Sequence, residues 1–155
     1  GQLSAAVEEA HAASRLQPTN PRPYALAAAA LNRLKRFDEA EVEARRAVAI
    51  KKDNADAYQS MAFAQLQQER YSEAVLSATE AIEHAPRNAQ AHALRAFAYE
   101  QLGEDAVKMA DIERAAALDP RAYESYLRTA RKGGVLFRKR SSDGKKVSGN
   151  HAGGR

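Results

Sequence analysis

The chain of 155 residues has no cysteine and no tryptophan. Disulfides, thiol nucleophiles and thiolate metal sites are therefore excluded, and the redox compartment stays open. Aromatic residues make up only 6% of the sequence, too few for a thick core built on large rings. No apolar run approaches the roughly 18 residues of a membrane-spanning helix, and no signal peptide is visible. The compartment is not fixed by this, although a cytoplasmic one is favoured. Neither a G-x-x-x-x-G-K-S/T nor a G-x-G-x-x-G phosphate loop occurs, and Gly144-Lys145 has no helical pattern after it, so no nucleotide site is expected. Histidines are few as well. His11 and His151 are isolated, and His84 and His92 flank one turn without a third ligand or an H-E-x-x-H spacing. They read as packing residues, and no metal or cofactor is expected. The acidic cluster Asp38, Glu39, Glu41 and Glu43, with Glu73 further on, lies at the start of helical patterns. Carboxylates there offset the positive end of the helix dipole. They are read as lying on solvated faces, and a general acid–base pair is rejected because no pocket-forming strand or loop accompanies them.

What is present is alanine and a period. The apolar fraction of 45% is dominated by alanine, which suits thin helix-on-helix packing. Tyr24, Tyr58, His92 and Tyr126 are equally spaced, as are Ala28, Ala62, Ala96 and Ala130. Ala13, Ala47, Ala81 and Ala115 form another column, and Asn20, Asn54 and Asn88 a fourth. The interval is about 34 residues throughout. In the middle copy, Ala57, Tyr58, Met61, Ala62, Ala64 and Leu66 recur at steps of three and four, which predicts a helix over 55–67. A polar turn follows at Gln68–Arg70. Ala74, Val75, Ala78, Ala81 and Ile82 then predict a second helix over 71–84, ended near Pro86. Asn54 and Asn88 stand where a short amide side chain can accept from a first-turn N–H.

A large residue, a small one four later, then aromatic-x-x-alanine, alanine and proline resembles the tetratricopeptide repeat. The middle copy carries it as Tyr58, Ala62, Tyr71–Ala74, Ala81 and Pro86. The first copy reads Tyr24, Ala28, Phe37–Ala40 and Ala47, with Lys52 where proline is usual. The third reads His92, Ala96, Tyr99, Leu102–Gly103, Ala115 and Pro120, but has Asp105 and Lys108 where an aromatic and an alanine are expected. Its second helix is therefore expected to pack more loosely. The resemblance implies an all-α, right-handed α-solenoid, with repeats over 21–54, 55–88 and 89–122. Each unit would bury its face on its neighbours, without a central core.

The ends differ from the middle. Leu3, Ala6, Ala10, Ala13 and Leu16 fall in the columns of Tyr71, Ala74, Ala78, Ala81 and His84. Residues 1–20 thus read as the second helix of a repeat whose first helix is missing. As the chain opens on Gly1, a cut through a longer array is the expectation, with self-association through the truncated end as a consequence. Tyr126 and Ala130 continue the register, so residues 123–132 are expected to form a capping helix before Gly133-Gly134. Residues 131–155 carry eight lysines and arginines against Asp143, a net charge of +7; the whole chain is +4, which leaves −3 for 1–130. The stretch 133–155 is expected to be a flexible basic tail.

The function implied by the resemblance is binding, not catalysis: an adaptor that holds a peptide or helix of another protein in its concave groove. Residues expected to line that groove are Arg22, Leu26, Ala29 and Arg33 in the first copy and Asp56, Gln59, Ser60, Phe63 and Gln67 in the second. The third contributes Gln90, Leu94, Phe97 and Gln101. Phe63 and Phe97, one repeat apart, are expected to form an apolar strip with Leu26 and Leu94. The alternative is docking on nucleic acid or an anionic membrane surface through Arg138, Lys139, Arg140, Lys145 and Lys146. Some chaperone adaptors of the family hold a C-terminal carboxylate with lysines, asparagines and an arginine. The matching positions here are Ala25, Ala29, Ser60, Gln90 and Leu94, so no such clamp is expected. Arg95, in a slot filled by Ala27 and Met61 in the other copies, should face the inside of its hairpin. A buried unpaired guanidinium would be costly, so a salt bridge to Asp111 is predicted.

Overall fold

The structure is a computed structural model that describes residues 1–122 together with Glu124 and Arg128. The capping helix expected over 123–132, apart from those two positions, and the tail over 133–155 lie outside the described residues. Seven helices follow one another: α1 (Gln2–Leu16), α2 (Pro21–Arg33), α3 (Phe37–Ile50), α4 (Ala55–Gln67), α5 (Tyr71–His84), α6 (Ala89–Leu102) and α7 (Asp105–Leu118). Positions 120–122, 124 and 128 are helical as well. No strand occurs among the described residues, and the chain is an all-α solenoid.

Two kinds of helix start alternate. Helices α2, α4 and α6 begin after Asn20, Asn54 and Asn88, whose side chains accept from the N–H of Arg22, Ala57 and Ala91. That satisfies one of the first-turn donors each helix leaves unpaired. Helices α3 and α5 start without such a cap; instead Arg36 pairs with Glu39, and Arg70 with Glu73. The turns inside the hairpins are also copies of one another. Lys35, Glu69 and Gly103 each take a positive φ, of 62°, 60° and 80°. The next residue's N–H then reaches back to Leu31, Gln65 or Tyr99 at 2.9 Å. Only the third turn has the glycine that this conformation favours.

Packing is local. Each helix lies against the next, and beyond that α2 touches α4 and α4 touches α6. Ala28, Ala44, Ala47, Ala57 and Met61 form one buried cluster, flanked by Tyr24 and Tyr58. Val7, Ala30, Leu31, Ala40 and Ala64 form a second, and Ala62, Leu66, Ala74, Ala78, Leu94, Phe97 and Ala98 a third. Alanine in these columns lets helix axes approach closely, and each cluster joins three or four consecutive helices rather than a shared centre. Burial falls off along the stack: α5 buries Ala74, Ser77, Ala78 and Ala81, whereas α7, the last complete helix among the described residues, buries Asp111 and Ala115. Val107 and Met109 remain exposed.

Candidate protein-interaction surface

The contact pattern separates two layers. The first-type helices α2, α4 and α6 touch one another directly, while α3, α5 and α7 make no substantial contact among themselves. A stack whose alternate helices are close on one side and splayed on the other must curve, with the closer set inside. The inner layer is therefore α2, α4 and α6.

Along that layer the expected groove residues divide. Arg22, Leu26, Ala29 and Arg33 on α2, Asp56 on α4 and Gln90 on α6 are exposed. Gln59, Phe63, Gln67 and Gln101 are half-buried. Three others are corrected. Ser60 is buried, with its carbonyl accepting from Asn32 Nδ2 at 2.8 Å. Leu94 and Phe97 are 1% and 2% exposed and belong to the cluster with Ala62, Leu66, Ala74 and Ala78. The curvature that brings α4 and α6 together turns these side chains into the stack, so the apolar strip expected from Leu26, Phe63, Leu94 and Phe97 does not form. Phe63 packs against the same cluster but keeps part of its ring accessible, and lies 6.3 Å from Phe37 between centroids. Beside it, Gln59 Nε2 donates to Gln90 Oε1 at 2.9 Å, and Asn88 Nδ2 donates to Gln59 Oε1 at 2.6 Å. The amides thus bridge α4 to the start of α6. The basic-tail residues Arg138, Lys139, Arg140, Lys145 and Lys146 lie outside the described residues.

Behind the inner layer runs a buried polar column that repeats with the fold. Glu43, Ser77 and Asp111 occupy equivalent places on α3, α5 and α7, and all three are buried. Each meets different partners. Asp111 accepts from Arg95 Nε at 2.7 Å and Nη2 at 2.8 Å, the pairing predicted from sequence. Arg95 also donates to Thr79 Oγ1 at 3.1 Å, and its side chain is only 19% exposed against 5% for Asp111. The carboxylate hydrogen bond and charge raise the Arg95 pKa despite burial. His92 lies in the same cluster, with Nδ1 3.0 Å from Asp111 Oδ1 and Nε2 3.1 Å from the Pro86 carbonyl. Ser77 donates to Gln65 Oε1 at 2.7 Å.

Glu43 and its neighbour Glu41 are the second correction: both are buried, not on solvated faces. Glu43 accepts from Arg46 at 2.8 Å. Glu41 accepts from Arg45 and Arg70, each at 2.6 Å, and from Gln65 at 3.2 Å. Burial pushes the Glu41 carboxyl up, but the hydrogen bonds from Arg70, Arg45 and Gln65 outweigh it and hold the group below the usual carboxylate range. Sequence reasoning missed this network, because Gln65 and Arg70 belong to the next hairpin. These carboxylates face arginines and amides inside the stack, and no group of three or more metal-ligating side chains occurs among the described residues. His84 stacks on Tyr58 with centroids 5.8 Å apart, a packing role like the one expected of it. None of the described helices is long and apolar enough to cross a membrane.

No family model matches the chain, and no curated protein matches it. Solved structures do. A crystal structure of MamA is similar with a TM-score of 0.71 and 18% identity, over 88% of this chain and 81% of that one. The TPR domain of Arabidopsis OM64 gives 0.64 at 23% identity, over 72% of this chain and 94% of that domain. A mutant O-GlcNAc transferase of Thermobaculum terrenum gives 0.60 at 19% identity, over 64% of this chain but only 19% of the enzyme. At such identities the likeness is one of fold, and the fold is that of a tetratricopeptide-repeat solenoid.

Proposed function

From a tetratricopeptide-like solenoid whose first-type helices form the inner layer, we propose that the chain is a protein-binding scaffold, not an enzyme. Its inner surface holds a peptide or helix of another protein. The observation that carries this reading is on α4, where the half-buried Phe63 lies one turn from Gln59 and from Gln67, and Gln59 is hydrogen-bonded to Gln90 of α6. A part-exposed aromatic ring gives an extended or helical segment an apolar anchor, and the surrounding amides can both donate and accept. The five candidate positions for a carboxylate clamp hold no cation, so the partner is held along its length rather than by its C-terminus.

Peptides selected from a displayed library on the immobilised chain supply the ligand for a test. Titrations should show binding at least about tenfold weaker for Phe63→Ser than for the wild type, a loss of about 1.4 kcal/mol, with helical content unchanged. Unchanged affinity in that variant would refute the inner-surface reading. Salt separates the alternative: binding that collapses as salt rises, and that is lost when Arg138, Lys139, Arg140, Lys145 and Lys146 are replaced, would assign recognition to the basic tail.

A further inference from the structure

Of the three equivalent buried positions Glu43, Ser77 and Asp111, one is left half satisfied. In the second hairpin Ser77 bonds to Gln65, and in the third Asp111 takes two N–H groups of Arg95. In the first hairpin the Gln65 slot holds Leu31 and the Arg95 slot holds Ala27. Both polar neighbours are gone, yet the carboxylate remains, its side chain only 8% exposed. Arg46 donates to Glu43 Oε1 at 2.8 Å. Oε2 is shut off from water and has no hydrogen-bond partner among the described residues. An unpaired buried carboxylate oxygen is costly.

A second unpaired atom lies close by. His11 of α1 places Nε2 3.6 Å from Glu43 Oε1, too long for a hydrogen bond, and that nitrogen is also buried without a partner. In the repeat register His11 stands where Thr79 does. The third hairpin shows what fits between such residues: the Arg95 guanidinium donates to Thr79 Oγ1 at 3.1 Å as well as to Asp111. A groove of ≈ 240 Å³ is walled by His11 and Glu43 together with Leu31, Asp38, Glu39 and Val42. Leu31 and Val42 suit a methylene stem. Glu39 is paired with Arg36, whereas the exposed Asp38 makes no ion pair among the described residues. The groove runs between second-type helices on the outer side, so its openness does not depend on what precedes α1. Leu76, at the place of Val42 one repeat on, is 68% exposed with a complete repeat before it.

We infer that this groove takes an arginine side chain of a partner protein. The guanidinium donates to Glu43 Oε2 and to His11 Nε2, which is the acceptor of the Nδ1–H tautomer. It repeats on the outer layer the bonding that Arg95 makes inside the third hairpin. The His11 side chain is 34% exposed, so its ring can turn to admit the planar group. An ammonium fits less well, being a compact, strongly hydrated charge without the fork that spans two acceptors. The site lies on the outer layer and is independent of the inner-surface reading. One side chain binds too weakly to enrich a peptide from a displayed library, so selected peptides report on the inner surface and capped arginine on this groove.

Titrating N-acetyl-arginine methylamide into the isotope-labelled full chain tests it. The His11 ring and the Leu31 and Val42 methyl resonances should shift saturably. The capped lysine should bind at least about tenfold more weakly, and capped citrulline, which has the shape without the charge, should leave these resonances in place. Glu43→Gln should abolish the arginine shifts, and His11→Phe should weaken binding at least about threefold. Circular dichroism checks that each variant keeps the helical content of the wild type. Should Glu43→Gln fail to fold, His11→Phe, at a part-exposed position, carries the test. Equal binding of capped lysine would reduce the effect to plain charge attraction and overturn the inference. So would arginine shifts that persist in folded Glu43→Gln or are unchanged in His11→Phe. An absence of saturable shifts in the wild type would overturn it too, and would leave water as the partner of Glu43 Oε2.

Discussion

Between α4 and α5 the contact is an apolar seam, with Ala62 and Leu66 in one cluster with Ala74 and Ala78, beside one neutral hydrogen bond from Ser77 to Gln65. Between α6 and α7 the equivalent column holds Lys108 and Ile112, and the hairpin is joined instead by Arg95, Asp111 and His92. Equivalent hydrogen bonds close the two turns, and the helix lengths are nearly equal, 13 and 14 residues in one hairpin and 14 and 14 in the other. The backbone geometry is thus set by period and turn, and the side chains that hold it can be either a close-packed apolar seam or a buried ion cluster. The difference should show in how each hairpin fails. A seam is sensitive to volume and indifferent to pH, whereas an ion cluster is sensitive to the loss of one partner.

The largest effect is expected at the ion cluster. Arg95→Ala leaves Asp111 buried without its main partner and should destabilise the fold by about 3 kcal/mol, the low end for a broken buried pair. Urea unfolding reads this directly, and a loss below 1 kcal/mol would mean that His92 or water replaces the guanidinium. In the seam, Ala78→Leu adds volume where none is free and should cost about 2 kcal/mol. Near-neutrality there would show that the α4–α5 contact can open.

The Glu41 network sharpens the contrast from a third place. Its carboxyl is held below the usual range in the fold, so its contribution is complete above the unfolded value of about 4.3 and is lost as pH falls through the lower folded value. Stability should therefore decline on acidification below that range. Glu41→Gln should cost about 1.5 kcal/mol at neutral pH and flatten the acid limb, measured by unfolding at a series of pH values. The smallest effect is at the turns. Gly103→Ala should destabilise by about 1 kcal/mol, while Lys35→Gly should be stabilising, because that turn already bears a side chain at positive φ. Thermal melts of the two variants should move in opposite directions.

How far the sequence could be read follows the same division. Whatever repeats was legible: the helices over 55–67 and 71–84, the asparagine caps, and the Arg95–Asp111 pair, which stood out because Arg95 replaces Ala27 and Met61 in its column and Asp111 stands in a polar column on the second helix of the same hairpin. What depends on curvature was not. Leu94 and Phe97 lie on the side of α6 that looks inward on a helical wheel, and they are buried in a cluster with residues of both α4 and α5. Glu41 and Glu43 matched a helix-dipole explanation that needs no partner, so nothing local signalled that Arg70 and Gln65 would reach Glu41 from the following hairpin.

The central claim is that α2, α4 and α6 form the layer that meets a partner, with α3, α5 and α7 behind it. Titrating a library-selected peptide into isotope-labelled chain and following amide and side-chain resonances tests this most directly. The account predicts shifts at Gln59, Phe63, Gln67 and Gln101, and none at Val42 of α3 or Leu76 of α5, which are exposed on the outer layer. Shifts confined to Val42, Leu76 and their neighbours would contradict it.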